Sequence, residues 1–476
     1  QTFTGVIAGP GQIYKWNGGV WTLAGSNTFE GSVQIYAGTV RLAHPKALGA
    51  MTGGTQLRRH DDGNRGRVEL NGISTDEPFS FEDGGTAGSS LGFGGYLDND
   101  NTATNATLTG PITLNKHGTF RGNGTMILAG SVSGPGNFVK DGSGTVNVDT
   151  NLTFTGNLAV NAGSLHLRAT GLLGGGAYAG SISVGGSFLV NVSATQTLSG
   201  TVSGNGTIQK WRSEGTLVLN GSNTFSCLLQ VYAGTVRLGH NQALGSVAGA
   251  TQIRRFDDSN RGVLDLNGQS INEPLQFIDG GGAGTTLGYA GFLENQNVLA
   301  SATNAGAVTL THHGTVRGAG DITLAGAVSG PGQLIKAGAG ALTLTGVNSY
   351  TGATAVTAGV LRLGAAGALP AASDVVLSGG TLDAGTIANA GASLTISGNS
   401  TLALGSGAQL TFGDSSGKPW SGTLTITGML GPQSLRFPNG LTTAQVLSIT
   451  YNGARVYLTQ AGYIVDYPPG TVIMLQ

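Results

Sequence analysis

The chain has 476 residues, of which 85 are glycine and only 10% are charged, and its formal net charge is −1. A typical globular domain has about 7% glycine and about 25% charged residues. The sequence has no basic run that would recruit phosphate backbones, so we expect no binding to nucleic acid. Since it also has no run of about 18 apolar residues, we expect no membrane insertion.

A short pattern recurs along the chain and predicts an all-β structure. In each copy apolar residues alternate with small polar ones, and glycine marks the ends, as is typical of short strands joined by turns. Such repetition favours stacked units over a single globular core. The copies are Gly25–Phe29 with Tyr36–Leu42, a worn version at Leu152–Gly156 with Asn161–Leu167, Gly221–Phe225 with Tyr232–Leu238, and Gly346–Tyr350 with Thr357–Leu363.

Two long repeats contain these copies. Residues 1–195 form the first and residues 196–370 the second, because Gln1 matches Gln196 and, one inserted residue later, Tyr36 matches Tyr232. Each long repeat holds an extra block, at residues 56–95 and 252–291, in which Arg and Asp residues cluster. We predict that each block projects from the stack as a charged loop, at residues 56–66 and 252–262.

The two charged loops are the strongest candidates for chemistry. Adjacent carboxylates with an Asn oxygen suit a hard cation such as Ca²⁺, and acids beside Arg also suit a catalytic pair. The interpretation that we favour is an Arg–Asp hydrogen-bond network that shapes the loop, because equal numbers of Arg and Asp neutralise it. The Ca²⁺ candidates are Asp61, Asp62, Asn64, Asp257, Asp258 and Asn260. We predict no catalytic residues and no other cofactor.

Other polar residues carry weaker signals. The run Asp98–Asn101 is oxygen-rich, but its counterpart in the second long repeat lacks the carboxylate pair, so we interpret it as a solvated turn. His117 and His313 recur without Cys or carboxylate at ligand spacing, which favours packed or surface histidines.

The C-terminal part of the chain changes in texture. Residues 371–412 continue the short strands, whereas residues 413–476 are richer in aromatic residues. We predict that this last part caps the stack, since the exposed end of a solenoid must be covered or paired. The terminal strand Thr471–Leu475 is apolar, and such a strand either folds back or inserts into a neighbour.

One stretch carries a family resemblance. Residues Gly338–Thr354 have the pattern Gly-x-Gly-x-Leu-x-Leu-x-Gly-x-Asn-x-Tyr-x-Gly-x-Thr, which resembles the autotransporter-associated β-strand repeat of bacterial secreted and surface proteins. The resemblance implies a right-handed parallel β-helix outside the cell and carries over no catalytic residues. The chain begins at Gln1 in strand-like sequence, so we expect a secreted protein from which a signal peptide has been removed.

Three functions follow from these patterns. The first is a non-enzymatic structural subunit of an extracellular bacterial fibre or surface layer, because sparse charge leaves strand edges open to association. Its end-to-end contacts would be Thr471, Val472, Ile473, Met474 and Leu475, or Gln1, Thr2 and Phe3. The second is a monomeric surface adhesin that binds glycan or matrix through loops 56–66 and 252–262. The third is a polysaccharide lyase or hydrolase, which needs an acidic or basic cluster that we do not find outside the loops.

Overall fold

The computed structural model describes residues 1–61, 63–82, 92–211, 214–257, 259–278 and 288–466. The chain divides into two units, of which the first comprises Gln1–Gln230 and Gln242–Gly249 and the second Val231–Asn241 and Ala250–Gln476. Each unit is a β-solenoid in which successive coils pair in parallel along three faces. The all-β solenoid predicted from the sequence is confirmed.

Strands of two to six residues build the first unit. The first sheet contains Thr2–Phe3, Val20–Leu23, Gly38–Leu42, Gly66–Glu69, Phe93–Asp98, His117–Arg121, Phe138–Lys140, Leu158–Val160, Ile182–Val184 and Val202–Ser203. The second contains Ile13–Lys15, Val33–Ile35, Thr55–Leu57, Phe79–Phe81, Ile112–Leu114 and Val132–Ser133. The third contains Ala106–Leu108, Thr125–Leu128, Thr145–Val148, Ser164–Ala169, Ser187–Val192 and Thr207–Lys210. A smaller set comprises Ala177–Tyr178, Gln196–Leu198 and Thr216–Leu219, and a 3₁₀ turn covers Gly174–Gly176.

The second unit has the same construction. One sheet contains Gly234–Leu238, Gly262–Asp265, Tyr289–Asn295, His313–Gly318, Leu334–Lys336, Thr354–Val356, Val375–Ser378 and Leu394–Gly398. Another contains Ser270–Ile271, Ala302–Asn304, Ile322–Leu324, Ala341–Leu344, Val360–Leu363, Thr381–Asp383, Ser400–Leu404, Leu424–Gly428 and Ile449–Tyr451. The third face is formed by Ala250–Ile253, Leu275–Phe277, Val308–Leu310 and Val328–Ser329, followed by Ala388–Gly391, Gln409–Phe412 and Leu435–Arg436.

The predicted C-terminal cap departs from the parallel pattern. Ala454–Arg455 pairs antiparallel with Ile449–Tyr451, and Tyr457–Leu458 pairs antiparallel with Ile464–Val465. A short α-helix, Thr443–Leu447, begins with a capping box at Thr442. The predicted terminal strand Thr471–Leu475 lies outside the described residues.

The core of each unit consists of side chains from alternate strand positions. In Val33–Ile35, for example, Val33 and Ile35 are buried and Gln34 points outwards. Because parallel pairing keeps the register from coil to coil, equivalent side chains stack along the solenoid. In the first unit an aromatic stack runs through Phe81, Phe120, Phe138, Phe154 and Tyr178, with ring centroids 4.2 to 5.7 Å apart.

The asparagine of the recurring pattern is buried at a corner of the coil. Asn348 is buried; its Oδ1 accepts the backbone N–H of Val328 at 2.8 Å, and its Nδ2 donates to the carbonyl of Ala368 at 2.6 Å. It therefore joins the preceding coil to the following one. Asn27 and Asn223 make the equivalent bonds in their own copies.

A buried lysine closes a second corner. In the first unit, the Lys140 ammonium donates to the carbonyls of Asp141, Gly142 and Ala162 at 2.7, 2.7 and 3.1 Å. In the second unit, Lys336 makes the same set of bonds. An ammonium has three N–H donors, so each of them finds a carbonyl that the turn leaves unpaired.

Candidate binding surface

The charged loops predicted from the sequence are short hairpins. In the first unit, Arg59 and Arg65 form an antiparallel bridge, and the N–H of Gly66 donates to the carbonyl of Arg58 at 2.8 Å. A Cβ on Gly66 would overlap the carbonyl of Ile35, so a glycine is needed where the hairpin rejoins the first sheet. In the second unit, Arg255 and Arg261 form the same bridge.

The acidic candidates Asp61 and Asp257 close the hairpin turns. Asp61 Oδ1 accepts the backbone N–H groups of Gly63 and Asn64 at 2.9 and 2.8 Å, and the Asn64 side-chain amide donates to both carboxylate oxygens at 3.0 and 2.9 Å. The bond from the Asn64 side chain is the main reason why the pKa of Asp61 is lowered. Asn64 thus presents its N–H groups to the carboxylate, and hydrogen bonding within the turn occupies the oxygens that a cation would need.

The second hairpin repeats this geometry. Asp257 accepts the N–H groups of Ser259 and Asn260 and the side-chain amide of Asn260, at 2.8 to 2.9 Å. Asp62 and Asp258 lie outside the described residues. Within the described ranges, no three His, Cys, Asp or Glu side chains converge as metal ligands. Ca²⁺ binding stays the less favoured of the two interpretations of these loops.

Each hairpin is anchored by an arginine packed on aromatic rings. The Arg65 guanidinium lies 4.6 Å from the ring centroid of Phe93 and 5.4 Å from that of Tyr96. In the second unit, Arg261 lies 5.1 Å from Tyr289 and 5.5 Å from Phe292. Guanidinium groups stack well on aromatic faces, so these contacts hold the base of each hairpin against the sheet.

The two histidines noted in the sequence join the same clusters. His117 packs edge-on against Phe93 at 5.0 Å, and His313 packs edge-on against Tyr289 at 5.1 Å. Burial, helped by the neighbouring Lys116 or His312, lowers the pKa of both. Each Nδ1 accepts a backbone N–H from the next coil at 3.1 Å. Both residues are therefore packed histidines, as the sequence suggested.

Charged side chains form a ladder across four coils, which sequence reasoning missed. In the first unit, Arg41, Glu69, Asp98 and Arg121 stand opposite one another on successive strands. The second unit repeats the order with Arg237, Asp265, Glu294 and Arg317. All four carboxylates are buried, at 1 to 5% exposure. The run Asp98–Asn101, interpreted above as a solvated turn, begins with one of these buried groups.

Beside the first hairpin, three planar side chains on successive coils form what we call the aromatic row: Trp16, Tyr36 and Arg58. The rings of Trp16 and Tyr36 are stacked, 3.9 Å apart and 8° from parallel, and the Arg58 guanidinium lies 5.4 Å from the Tyr36 ring. His60, in the hairpin, packs edge-on against Trp16 at 6.1 Å. Trp16 is 49% exposed, so the row presents aromatic and guanidinium edges to solvent. Sequence reasoning missed it because coil-to-coil pairing brings the three together.

The predicted association strands lie partly within the described residues. Thr2 and Phe3 pair in parallel with Thr22 and Leu23, and Phe3 packs edge-on against Trp21 at 5.8 Å. The Gln1 ammonium donates to the carbonyl of Val20 at 2.8 Å. The other proposed contacts, Thr471–Leu475, fall outside the described residues. End-to-end association stays a prediction.

Comparison with known proteins identifies the repeats. Residues 13–42, 138–167, 213–238 and 334–363 match the family described as passenger-associated-transport-repeat. The "Adhesin BmaC autotransporter" of Brucella suis biovar 1 (strain 1330) is 31% identical over an alignment of 464 positions. The alignment covers 84% of this chain and 12% of that protein. Four segments of the chain thus carry this repeat, in agreement with the resemblance noted in the sequence. They contain all four copies of the recurring pattern. No solved structure matches the chain.

The similarity to an autotransporter implies a protein that is extracellular or at the cell surface. Removal of a signal peptide stays a prediction. In the described part of the chain, neither helix is long and apolar enough to cross a bilayer.

Proposed function

We propose that this chain is an adhesive segment of an autotransporter passenger, which binds glycan or matrix through its charged hairpins and the aromatic row. The observation that carries the proposal is the similarity to an autotransporter adhesin over 84% of the chain. Since the chain spans only 12% of that relative, the proposal concerns this segment.

The geometry supports a binding role for the first hairpin. Trp16, Tyr36 and Arg58 combine apolar ring edges with hydrogen-bond donors, and aromatic and Arg side chains are enriched in binding hot spots. The outer face beside them carries the amides of Gln34 and Gln56, which stand opposite each other on adjacent strands. A rigid sheet below the hairpin holds these groups in place before a ligand arrives, which lowers the entropic cost of binding.

The same geometry favours a non-enzymatic role. The buried acids of the ladder are paired with arginines: Arg121 Nε lies 2.9 Å from both Asp98 oxygens, and Arg237 Nε lies 2.8 Å from Asp265. A carboxylate held in such a pair has a structural use that needs no substrate.

Attachment of beads coated with the full chain to cultured cells and to matrix-coated glass tests the proposal. We expect the unmodified chain to attach, and the double variant Trp16→Ala with Arg58→Ala to lose most of the attachment. Thr113→Ala, on the outer face of the same sheet but away from the row, serves as the control and should attach normally. Failure of the unmodified chain to attach, or equal attachment by the double variant, would contradict the proposal.

Assembly into a fibre or surface layer is the competing proposal from the sequence. The adhesin similarity lends it no support, and its C-terminal contacts lie outside the described residues. It therefore remains a prediction, to be tested by the mass of the chain in solution.

A further inference from the structure

One cavity in the first unit is lined by charged side chains, an amide and two glycines. Its volume is about 370 Å³, within the range of about 300–1,000 Å³ typical of small-ligand sites. We call it the corner cavity, and its lining residues are Arg67, Asp98, Asp100, Arg121, Gly122, Asn123, Asp141 and Gly142.

The charged groups of the corner cavity are fixed by one another. Arg121 Nε donates to both Asp98 oxygens at 2.9 Å, and its guanidinium lies 3.6 Å from the ring centroid of Tyr96. Arg67 forms ion pairs with Asp98 and Asp100. Asp98 is 1% exposed, whereas the side chain of Asp100 is 46% exposed. The floor of the cavity is therefore rigid and its rim is open to solvent.

The rim carries further acceptors and donors. Asn123 donates to Asp100 at 3.4 Å and accepts the hydroxyl of Ser143 at 2.8 Å. Asp141 uses Oδ1 to accept the N–H of Gly142 at 2.9 Å. Carboxylate, amide and guanidinium groups thus meet within one small volume.

The second long repeat provides an internal comparison for the corner cavity. It retains the ladder pair, as Glu294 with Arg317. The other lining groups are replaced: Val263 stands for Arg67, Gln296 for Asp100, Ala319 for Asn123 and Ala337 for Asp141. The fold therefore needs the ladder but does not need the polar rim.

We propose that the corner cavity binds a non-acidic sugar unit of a surface glycan. Sugar hydroxyls donate and accept hydrogen bonds at once, and the cavity offers both carboxylate acceptors and guanidinium and amide donors. Its three carboxylates outnumber its two guanidinium groups, so an acidic sugar is disfavoured. This inference rests on the proposed adhesive function and names a ligand class for it.

The test uses the purified full chain on oligosaccharides immobilised on glass, in neutral, N-acetylated and acidic sets. We expect binding to neutral or N-acetylated sugars and none to the acidic set. Asn123→Ala with Asp141→Ala should lower the affinity at least tenfold. These are the residues that the second long repeat carries, so the variant should fold, which circular dichroism checks. Gln296→Ala in the second long repeat is the matched control and should change the affinity less than twofold.

The inference would be overturned if the chain bound no sugar, if it bound only acidic sugars, or if the variant Asn123→Ala with Asp141→Ala kept full affinity. It would also be overturned if oligolysine at low ionic strength were the only competitor that displaced the bound sugar. Bead attachment separates the two proposals. If the variant Asn123→Ala with Asp141→Ala keeps full affinity for sugar while beads carrying the unmodified chain attach, the corner cavity fails and the adhesive function stands. If sugar binds at the cavity but beads do not attach, the adhesive function fails instead.

Discussion

Two buried glutamates predict an unusual dependence of stability on pH. Glu77 is 3% exposed and accepts the Thr55 hydroxyl at 2.7 Å, and burial raises its pKa from 4.5 to about 8. Its counterpart Glu273 is also 3% exposed and accepts the Thr251 hydroxyl at 3.0 Å, and burial raises its pKa to about 7. Each glutamate precedes a proline on the same face in its own unit.

The direction of the pH effect on stability follows from the number of protons that the folded and unfolded chains bind. Between pH 4.5 and about 8 the folded chain keeps the Glu77 proton that the unfolded chain has lost, so the free energy of unfolding falls as the pH rises through this window. At about 1.36 kcal/mol per pKa unit, the loss between pH 4.5 and pH 8 reaches at most about 4 kcal/mol for Glu77 and about 3 kcal/mol for Glu273.

Urea unfolding followed by circular dichroism at pH 5 and pH 8 measures the effect. Glu77→Gln and Glu273→Gln cannot ionise, so each should flatten its share of the pH dependence and raise stability at pH 8 relative to the unmodified chain. Glu30→Gln, at an exposed position, is the matched control. The difference in stability between the variant and the unmodified chain at each pH isolates the contribution of the glutamate. Histidines and lysines that titrate in the same pH range contribute equally to both chains. If Glu77→Gln loses as much stability as the unmodified chain between pH 5 and pH 8, the reasoning is wrong.

Three further predictions concern the corner, the hairpins and the state of assembly. Asn348→Ala leaves one N–H and one carbonyl of neighbouring coils unpaired, so we expect the free energy of unfolding in urea to fall by about 1–3 kcal/mol. Ser349→Ala, at an exposed position, is the control and should cause no change. Equal stability of the two variants would contradict the corner role. Because Asn64 donates to Asp61, we expect EDTA to leave the melting temperature unchanged; a drop that Ca²⁺ reverses would instead establish a cation site. Light scattering at micromolar concentration should show a mass that does not grow with concentration, whereas growth would favour the fibre.

Charged side chains also pair on adjacent coils outside the hairpins and the ladder. Net charge is −1 and charged residues make up 10% of the sequence, yet Arg168 with Asp149 and Arg362 with Asp383 also pair on adjacent coils at 2.6 and 2.9 Å. Exposed pairs of this kind contribute little stability on their own. Pairs such as Arg168 with Asp149 do favour one register over another, because a slipped strand would separate the opposite charges.

The sequence by itself determined that the chain is a β-solenoid, whereas its C-terminal cap stays a prediction. Period-two alternation in short strands leaves one face to bury, and glycines at regular turns let successive coils lie directly on one another. It also located both hairpins and their Asp and Asn residues, because Asx turns are local and their partners are two or three residues apart.

Only the tertiary structure decided which distant residues meet. Arg41 and Glu69 are paired across 28 residues, whereas Phe138 and Leu158 are paired across 20, since an inserted hairpin lengthens some coils and not others. The coil-to-coil spacing therefore cannot be read from a fixed repeat length. For that reason the charge ladder, the aromatic row and the corner cavity, all built from side chains on successive coils, came into view only once the strands were paired.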